Sequence, residues 1–160
     1  MATLIPGKMK RVNLFVSGLG LLGLVKNVKL PTVKTKKDVI NGIHVDSGLL
    51  EPMEFECELT DFNKAMLKEA AKLSKATLKV KGDYLENNTN AKFTATLTGA
   101  LDVEMDSLED GKEFAQKVKM YVNVYNLNLN GDEIYDIDLQ NVIAKIDGKD
   151  IYEATRSAVM

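Results

Sequence analysis

The stretch Phe114–Leu139, FAQKVKMYVNVYNLNLNGDEIYDIDL, decides how the chain folds. Val118, Met120, Val122 and Val124 recur at a spacing of two, the period of a strand with one face buried. After Val124 the apolar set changes parity to Tyr125, Leu127 and Leu129. A one-residue slip turns every following side chain to the opposite face, so the change predicts a bulge or a strand that leaves one packed surface for another. Asn130-Gly131 supplies the two positive-φ residues of a type I′ turn, and Ile134, Tyr135 and Ile137 run back alongside. A strand of this length, apolar on each face in turn, requires more than one partner surface.

Strand patterns recur on the N-terminal side. Pro52–Leu59 sets Met53, Phe55, Cys57 and Leu59 on one face and Glu54, Glu56 and Glu58 on the other. Ala91–Met105 opposes Phe93, Ala95 and Leu97 to a hydroxyl row of Thr94, Thr96 and Thr98. Lys10–Val16, Leu24–Leu30 and Ala76–Leu85 also read as strands, and residues 140–146 are amphipathic without a clear period. Thr60 or Asp61 is expected to cap a helix running to about Ser74, with Phe62, Met66, Ala70 and Leu73 as its buried stripe. The tail from Ile151 has helical character. About seven strands and one flanking α-helix predict a mainly β protein, an antiparallel β-sandwich or partly open barrel, in a single domain over 1–160.

Composition narrows the function. With 160 residues and 45% hydrophobic content the chain can bury one sizeable core. Its 21 Lys and Arg against 23 Asp and Glu provide no basic field of the kind that grips phosphate backbones. One cysteine excludes an internal disulfide, and one cysteine with one histidine excludes Cys/His zinc sites. Cys57 lies in an apolar row and reads as a small buried hydrophobe.

Two motifs invite chemistry that their context denies. Gly18, Gly20 and Gly23 spell G-x-G-x-x-G after a strand, but only seven residues separate Gly23 from Pro31, too few for the helix and crossover of a dinucleotide site. Lys8, Lys10 and Arg11 ahead of the run Val12–Val25 imitate a secretory signal; Asn13, Ser17 and the glycines interrupt the run, and at 14 residues it is short of a membrane span of about 20. No catalytic, metal or cofactor-binding set emerges. The arm Met1–Lys8 lacks periodicity and is expected to order against a neighbour. Residues 34–48 read as a long exposed loop or loose hairpin.

Order and spacing together carry a family resemblance. The opening Lys10-Met-Lys-Arg-Val-Asn-Leu-Phe-Val-Ser-Gly18, the strand end Val28-Lys-Leu-Pro31, Val45-Asp46-Ser-Gly48 and Met53-Glu-Phe-Glu-Cys-Glu-Leu59 follow one another toward a C-terminal pattern. That pattern comprises Asn130-Gly131, Glu133, Ile137-Asp138, Asn141, Lys145, Asp147-Gly148 and Asp150. From Lys10 to Ile151 the chain resembles the major tail tube proteins of P2-like contractile-tailed bacteriophages, whose relatives include the tubes of R-type tailocins. The segment between Pro31 and Val45 is shorter here than the glycine-rich loop of the P2-like members.

The resemblance implies a non-enzymatic structural protein of the virion tail, assembled in the host cytoplasm, without cofactor or membrane anchor. It implies hexameric rings stacked into a tube through which DNA passes without specific binding. Implied partners are further copies of the chain, the tail sheath, the tape-measure protein, and baseplate and tail-terminator proteins. A tailocin tube or other contractile injection particle is the alternative, and a small-ligand-binding β-barrel a more distant one. Within a tube, the alternation places Glu54, Glu56, Glu58, Thr94, Thr96 and Thr98 toward the lumen, as an acidic, hydroxyl-bearing wall that repels DNA. The polar segment 34–48 is expected to supply subunit or ring contacts through Lys34, Lys36, Lys37, Asn41, His44 and Asp46.

Overall fold

The computed structural model describes residues 4–160. Among them the chain forms β1 (Lys8–Val16), β2 (Leu19–Gly20), β3 (Val25–Lys29), β4 (Thr35–Ile40), β5 (Ile43–Leu50), β6 (Met53–Leu59), α1 (Lys64–Ala70), β7 (Ala76–Glu86), β8 (Thr89–Met105), β9 (Gln116–Leu129), β10 (Asp132–Asp138), β11 (Ile143–Ile146), β12 (Lys149–Asp150) and α2 (Glu153–Val159). Twelve strands thus replace the seven expected. The additions are short returns and the β4–β5 hairpin, and the tail supplies a second helix. Of the N-terminal arm, Met1 to Thr3 lie outside the described residues; Lys8 is already paired with Leu85 of β7.

The long strand resolves the parity change by a bulge. β9 pairs with β8 along its whole length, and the register shifts between Thr98 and Gly99, where Gly99 faces Val122 and Thr98 faces Val124. Asn123 is the extra residue. On its other edge β9 is shared: β6 pairs with Gln116–Val122 and β10 with Val124–Leu129. Leu139 donates its amide to the Asn123 carbonyl at 3.0 Å, closing the junction between the two partners. One strand therefore carries two neighbours end to end, as its double apolar face requires.

The main sheet runs β12-β11-β10-β9-β8-β7-β1-β2, with β6 and then β3 branching from the first half of β9. All its pairings are antiparallel. Two-residue turns with both φ positive link successive strands at Ser17-Gly18, Asn87-Asn88, Asn130-Gly131 and Asp147-Gly148, matching the right-handed twist of the flanking strands. Of the glycines of the apparent dinucleotide motif, Gly18 thus belongs to a hairpin turn, Gly20 to β2 and Gly23 to the turn before β3. β3 comes against β1 without pairing to it, so the sheet curls round its core as an open, sandwich-like layer and does not close into a barrel. Phe55, Leu59, Met66, Leu78, Leu97, Met120, Tyr125 and Ile137 are fully buried inside.

The helix departs from its sequence signature. It begins at Asn63, whose side chain accepts the Met66 amide at 2.9 Å, in place of Thr60 or Asp61. The Asn63 amide in turn donates to Oε1 of buried Gln116 at 3.0 Å, so a side chain of β9 sets where the helix starts. α1 ends at Ala70 and a 3-10 turn covers Leu73–Lys75. Of the expected stripe only Met66 is fully buried; Phe62 and Leu73 are exposed. Glu69 takes the inward position instead, one turn after Met66.

Candidate functional surfaces

Two surfaces distinguish this fold: the outer, polar face of the sheet, and the β4–β5 hairpin. Because β8 keeps its alternation through the bulge, Thr94, Thr96 and Thr98 share a face with Ala100, Asp102 and Glu104. Glu54, Glu56 and Glu58 stand on that same face, across β9. The two rows read separately from the sequence are therefore brought onto one surface of one sheet.

The acidic stripe, however, is not an acidic wall. Register sets Lys26, Glu58, Lys117 and Glu104 in one cross-strand row, and Lys29, Glu56, Lys119 and Asp102 in the next. Glu58 and Glu56 thus each stand between two lysines, an alternation that cross-strand pairing favours. Lys119 also reaches Glu54 at 3.3 Å, and the Glu54 carboxylate raises the lysine pKa. Farther along, the rows turn to amides and hydroxyls: Lys81, Thr94 and Asn128, then Lys79, Thr96 and Asn126. Thr77 and Thr98 meet through their hydroxyls at 3.3 Å. The expectation of a repelling acidic surface is corrected by this pairing. The sequence alternation showed the glutamates, but the lysines lie 27 to 65 residues away and only register brings them alongside.

Cys57 and Glu69 sit behind this surface. Burial, assisted by neighbouring Glu58, pushes the Cys57 thiol up to about 12, so it stays protonated and inert. Burial would raise Glu69 too, but the Thr77 amide at 2.9 Å, Lys72 at 2.9 Å and the Ser17 hydroxyl at 2.8 Å outweigh it and hold the carboxyl below its ordinary range. Glu69 thus ties α1 to the β1–β2 turn and to β7. Spacing from Met66 would have flagged a carboxylate on the inward stripe.

The hairpin stands apart as its own two-stranded sheet. Residues 34–48, read as a loop or loose hairpin, are ordered by the Asn41-Gly42 turn, with φ of 52° and 77°. Asp46 is an internal brace: it accepts from the Gly48 amide at 2.9 Å and the Thr35 hydroxyl at 2.8 Å, with Lys37 at 3.9 Å, and these contacts lower its pKa. Lys34 pairs with Glu51 at the foot of the hairpin at 3.1 Å. His44 stands across from Val39, and the Lys36 carbonyl accepts from the Ser47 hydroxyl at 2.8 Å. The foot is anchored by Tyr152, whose hydroxyl accepts the Leu50 amide at 2.7 Å. Polarity directed attention to the charged residues; the tip itself is apolar, with Val39, Ile40, Ile43 and Val45 all exposed.

Other features offer no comparable chemistry. An open apolar hollow lies between Ile5, Met9, Leu30, Tyr84, Phe93 and Leu127 at one end of the sheet. Among the described residues no group of three or more His, Cys, Asp or Glu is placed to hold a metal ion, and no helix is long and apolar enough to cross a membrane.

Comparison with known proteins gives the chain its family. A family model described as phage tail tube protein FII matches residues 6–159. The tail tube protein of Escherichia phage P2 is similar at 26% identity, over 94% of this chain and 95% of that protein. With nearly its whole length matched, the chain belongs to the phage tail tube protein FII family, as a structural component of the virion tail and not an enzyme.

Proposed function

We propose that the chain, acting as a single tail-tube domain, closes into hexameric rings that stack into the inner tube of a contractile tail, with the polar sheet face turned to the bore. The observation that carries this reading is the sheet itself, in which one face holds the whole apolar core and the other presents paired charges, hydroxyls and amides in register. The two charged rows of such a bore would offer passing DNA no net positive field, their four lysines facing four carboxylates. Since each lysine of the charged rows has a carboxylate beside it, few counterions are released on contact and the strand slides. Glu54, Glu56, Glu58, Thr94, Thr96 and Thr98 would line this channel.

The hairpin suits assembly. An isolated two-stranded hairpin is marginal in water, and one that carries exposed Ile and Val at its tip gains by burial against another subunit. Lys34, Lys36, Lys37, Asn41 and His44 would contact neighbouring copies, with Asp46 keeping the hairpin in shape, and the N-terminal arm would add a second contact. Sheath, tape-measure, baseplate and terminator proteins are the partners expected of such a tube. The same architecture serves a tailocin or another contractile injection particle. Native mass measurement with negative-stain microscopy of the purified protein tests the reading: hexamers, rings or tubes support it, and a monomer at high concentration under all conditions rejects it.

A further inference from the structure

The chain holds two Asn-Gly pairs, and the fold treats them differently. Asn41-Gly42 turns β4 into β5 and Asn130-Gly131 turns β9 into β10, each with both φ positive. In the second turn the Gly131 amide donates to Oδ1 of Asn128 at 3.0 Å, and the Asn130 amide to the Lys92 carbonyl at 2.6 Å. Its strands are also paired on their far edges, β9 to β8 and β10 to β11. Asn41-Gly42 has none of this support. Among the described residues neither the Gly42 amide nor the Asn41 side chain has a hydrogen-bond partner, and nothing stands within 4 Å of where a Gly42 Cβ would lie. Both residues are exposed. The braces of this hairpin sit at its other end, where Asp46 meets Thr35 and Gly48, and Tyr152 meets Leu50.

We propose that Asn41 is a deamidation site of the unassembled subunit, and that its conversion withdraws the subunit from assembly. The Gly42 nitrogen attacks Cγ of Asn41; the N–Cγ bond forms, the Cγ–Nδ2 bond breaks, and ammonia leaves with the proton of the Gly42 amide. Water then opens the cyclic imide at either carbonyl, giving aspartate or isoaspartate. A glycine after the asparagine leaves the attacking nitrogen uncrowded. Ring closure requires the Asn41 backbone to rotate out of its turn, so the rate follows how readily the turn opens. An isolated two-stranded hairpin opens at low cost, whereas β9 and β10 open only with the sheet around them. The Gly131 amide must also give up Asn128 first.

The product matters through its place. A carboxylate would stand between exposed Ile40 and Ile43, and isoaspartate lengthens the backbone of a turn whose length sets the strand register. Either change opposes burial of the tip against a neighbouring subunit. This consequence rests on the tube reading; the modification does not. A subunit already built into a tube, with its tip held, would be spared.

Peptide mass measurement on purified, unassembled protein aged in neutral buffer tests the site. Asn41 should convert at least about tenfold faster than Asn130, because a hairpin tip frays far more readily than a core sheet opens. Asp110-Gly111 and Asp147-Gly148 isomerise without a change of mass and do not disturb the reading. Asn128→Ala, which frees the Gly131 amide, should speed conversion at Asn130 and leave Asn41 as it was. Equal conversion at the two pairs, or faster conversion at Asn130, would overturn the site. For the consequence, Asn41→Gly keeps a glycine-glycine turn and cannot deamidate. The unaltered protein should lose assembly on ageing in proportion to converted Asn41, while Asn41→Gly aged alongside keeps it. Equal loss in both would overturn the role in assembly and leave the site standing. Failure of fresh, unaltered protein to form tubes would overturn the tube reading and that role together, and the masses would still decide the site.

Discussion

Gly99 lies directly against the Tyr121 carbonyl, so closely that a Cβ at position 99 would overlap it. The contact sits where β8 and β9 change register, and the absence of a side chain there lets the two backbones approach while Asn123 is extruded. Gly99→Ala is therefore expected to destabilise the protomer by about 2 kcal/mol through forced displacement of β9. Urea denaturation should show this, and Gly18→Ala, at a turn with open space around it, should act only through its positive φ.

Glu69 should make stability acid-sensitive. Its folded pKa lies below the ordinary 4.5, so the unfolded chain binds the proton more readily. Its contribution is present in full above the ordinary value and is lost as pH falls through the folded one. Glu69→Gln should cost about 2 kcal/mol at neutral pH and flatten the stability profile below pH 4.5, measured by denaturation across pH.

Reversing Glu54, Glu56 and Glu58 to lysine is no longer the innocent surface change that alternation alone suggests. It would set new cations directly across from Lys117, Lys119, Lys26 and Lys29. A lower urea midpoint is expected for the lysine variant than for the corresponding triple glutamine variant, because like charges directly opposite destabilise a sheet.

Tyr152→Phe should loosen the hairpin at its foot without disturbing the core. It removes only the acceptor for the Leu50 amide, while Asp150 still accepts from Arg156 at 2.7 Å and from the Tyr152 amide at 3.0 Å. Faster hydrogen exchange at Leu50, with exchange in β9 unchanged, is the expected outcome.

What the sequence revealed follows from range. Strands with one wet face declare themselves by alternation, and the parity change announced a bulge because side-chain direction is a local property; the bulge falls at Asn123, ahead of Val124, so Val124 stands opposite Thr98 on the polar face and not with Val118, Met120 and Val122 in the core. The start of α1 did not, since Asn63 is chosen by Gln116, 53 positions away. The stripe was misread for the same reason: Phe62 finds Phe114 instead of the core. Within the candidate surfaces, the glutamate and threonine rows were legible, and their common face and lysine partners were not. The hairpin was visible only as polarity, since apolar residues exposed at a tip carry no periodic signal of burial.

A reconstruction of the assembled tube, at a resolution that shows side chains, tests the central claim most directly. Glu56 and Thr96 should project into the bore, with Lys119 beside Glu56, and the β4–β5 hairpin should bridge to another copy. Density placing Glu56 and Thr96 on the outer wall, or buried between subunits, would contradict the channel assignment and make the paired face a surface for the sheath.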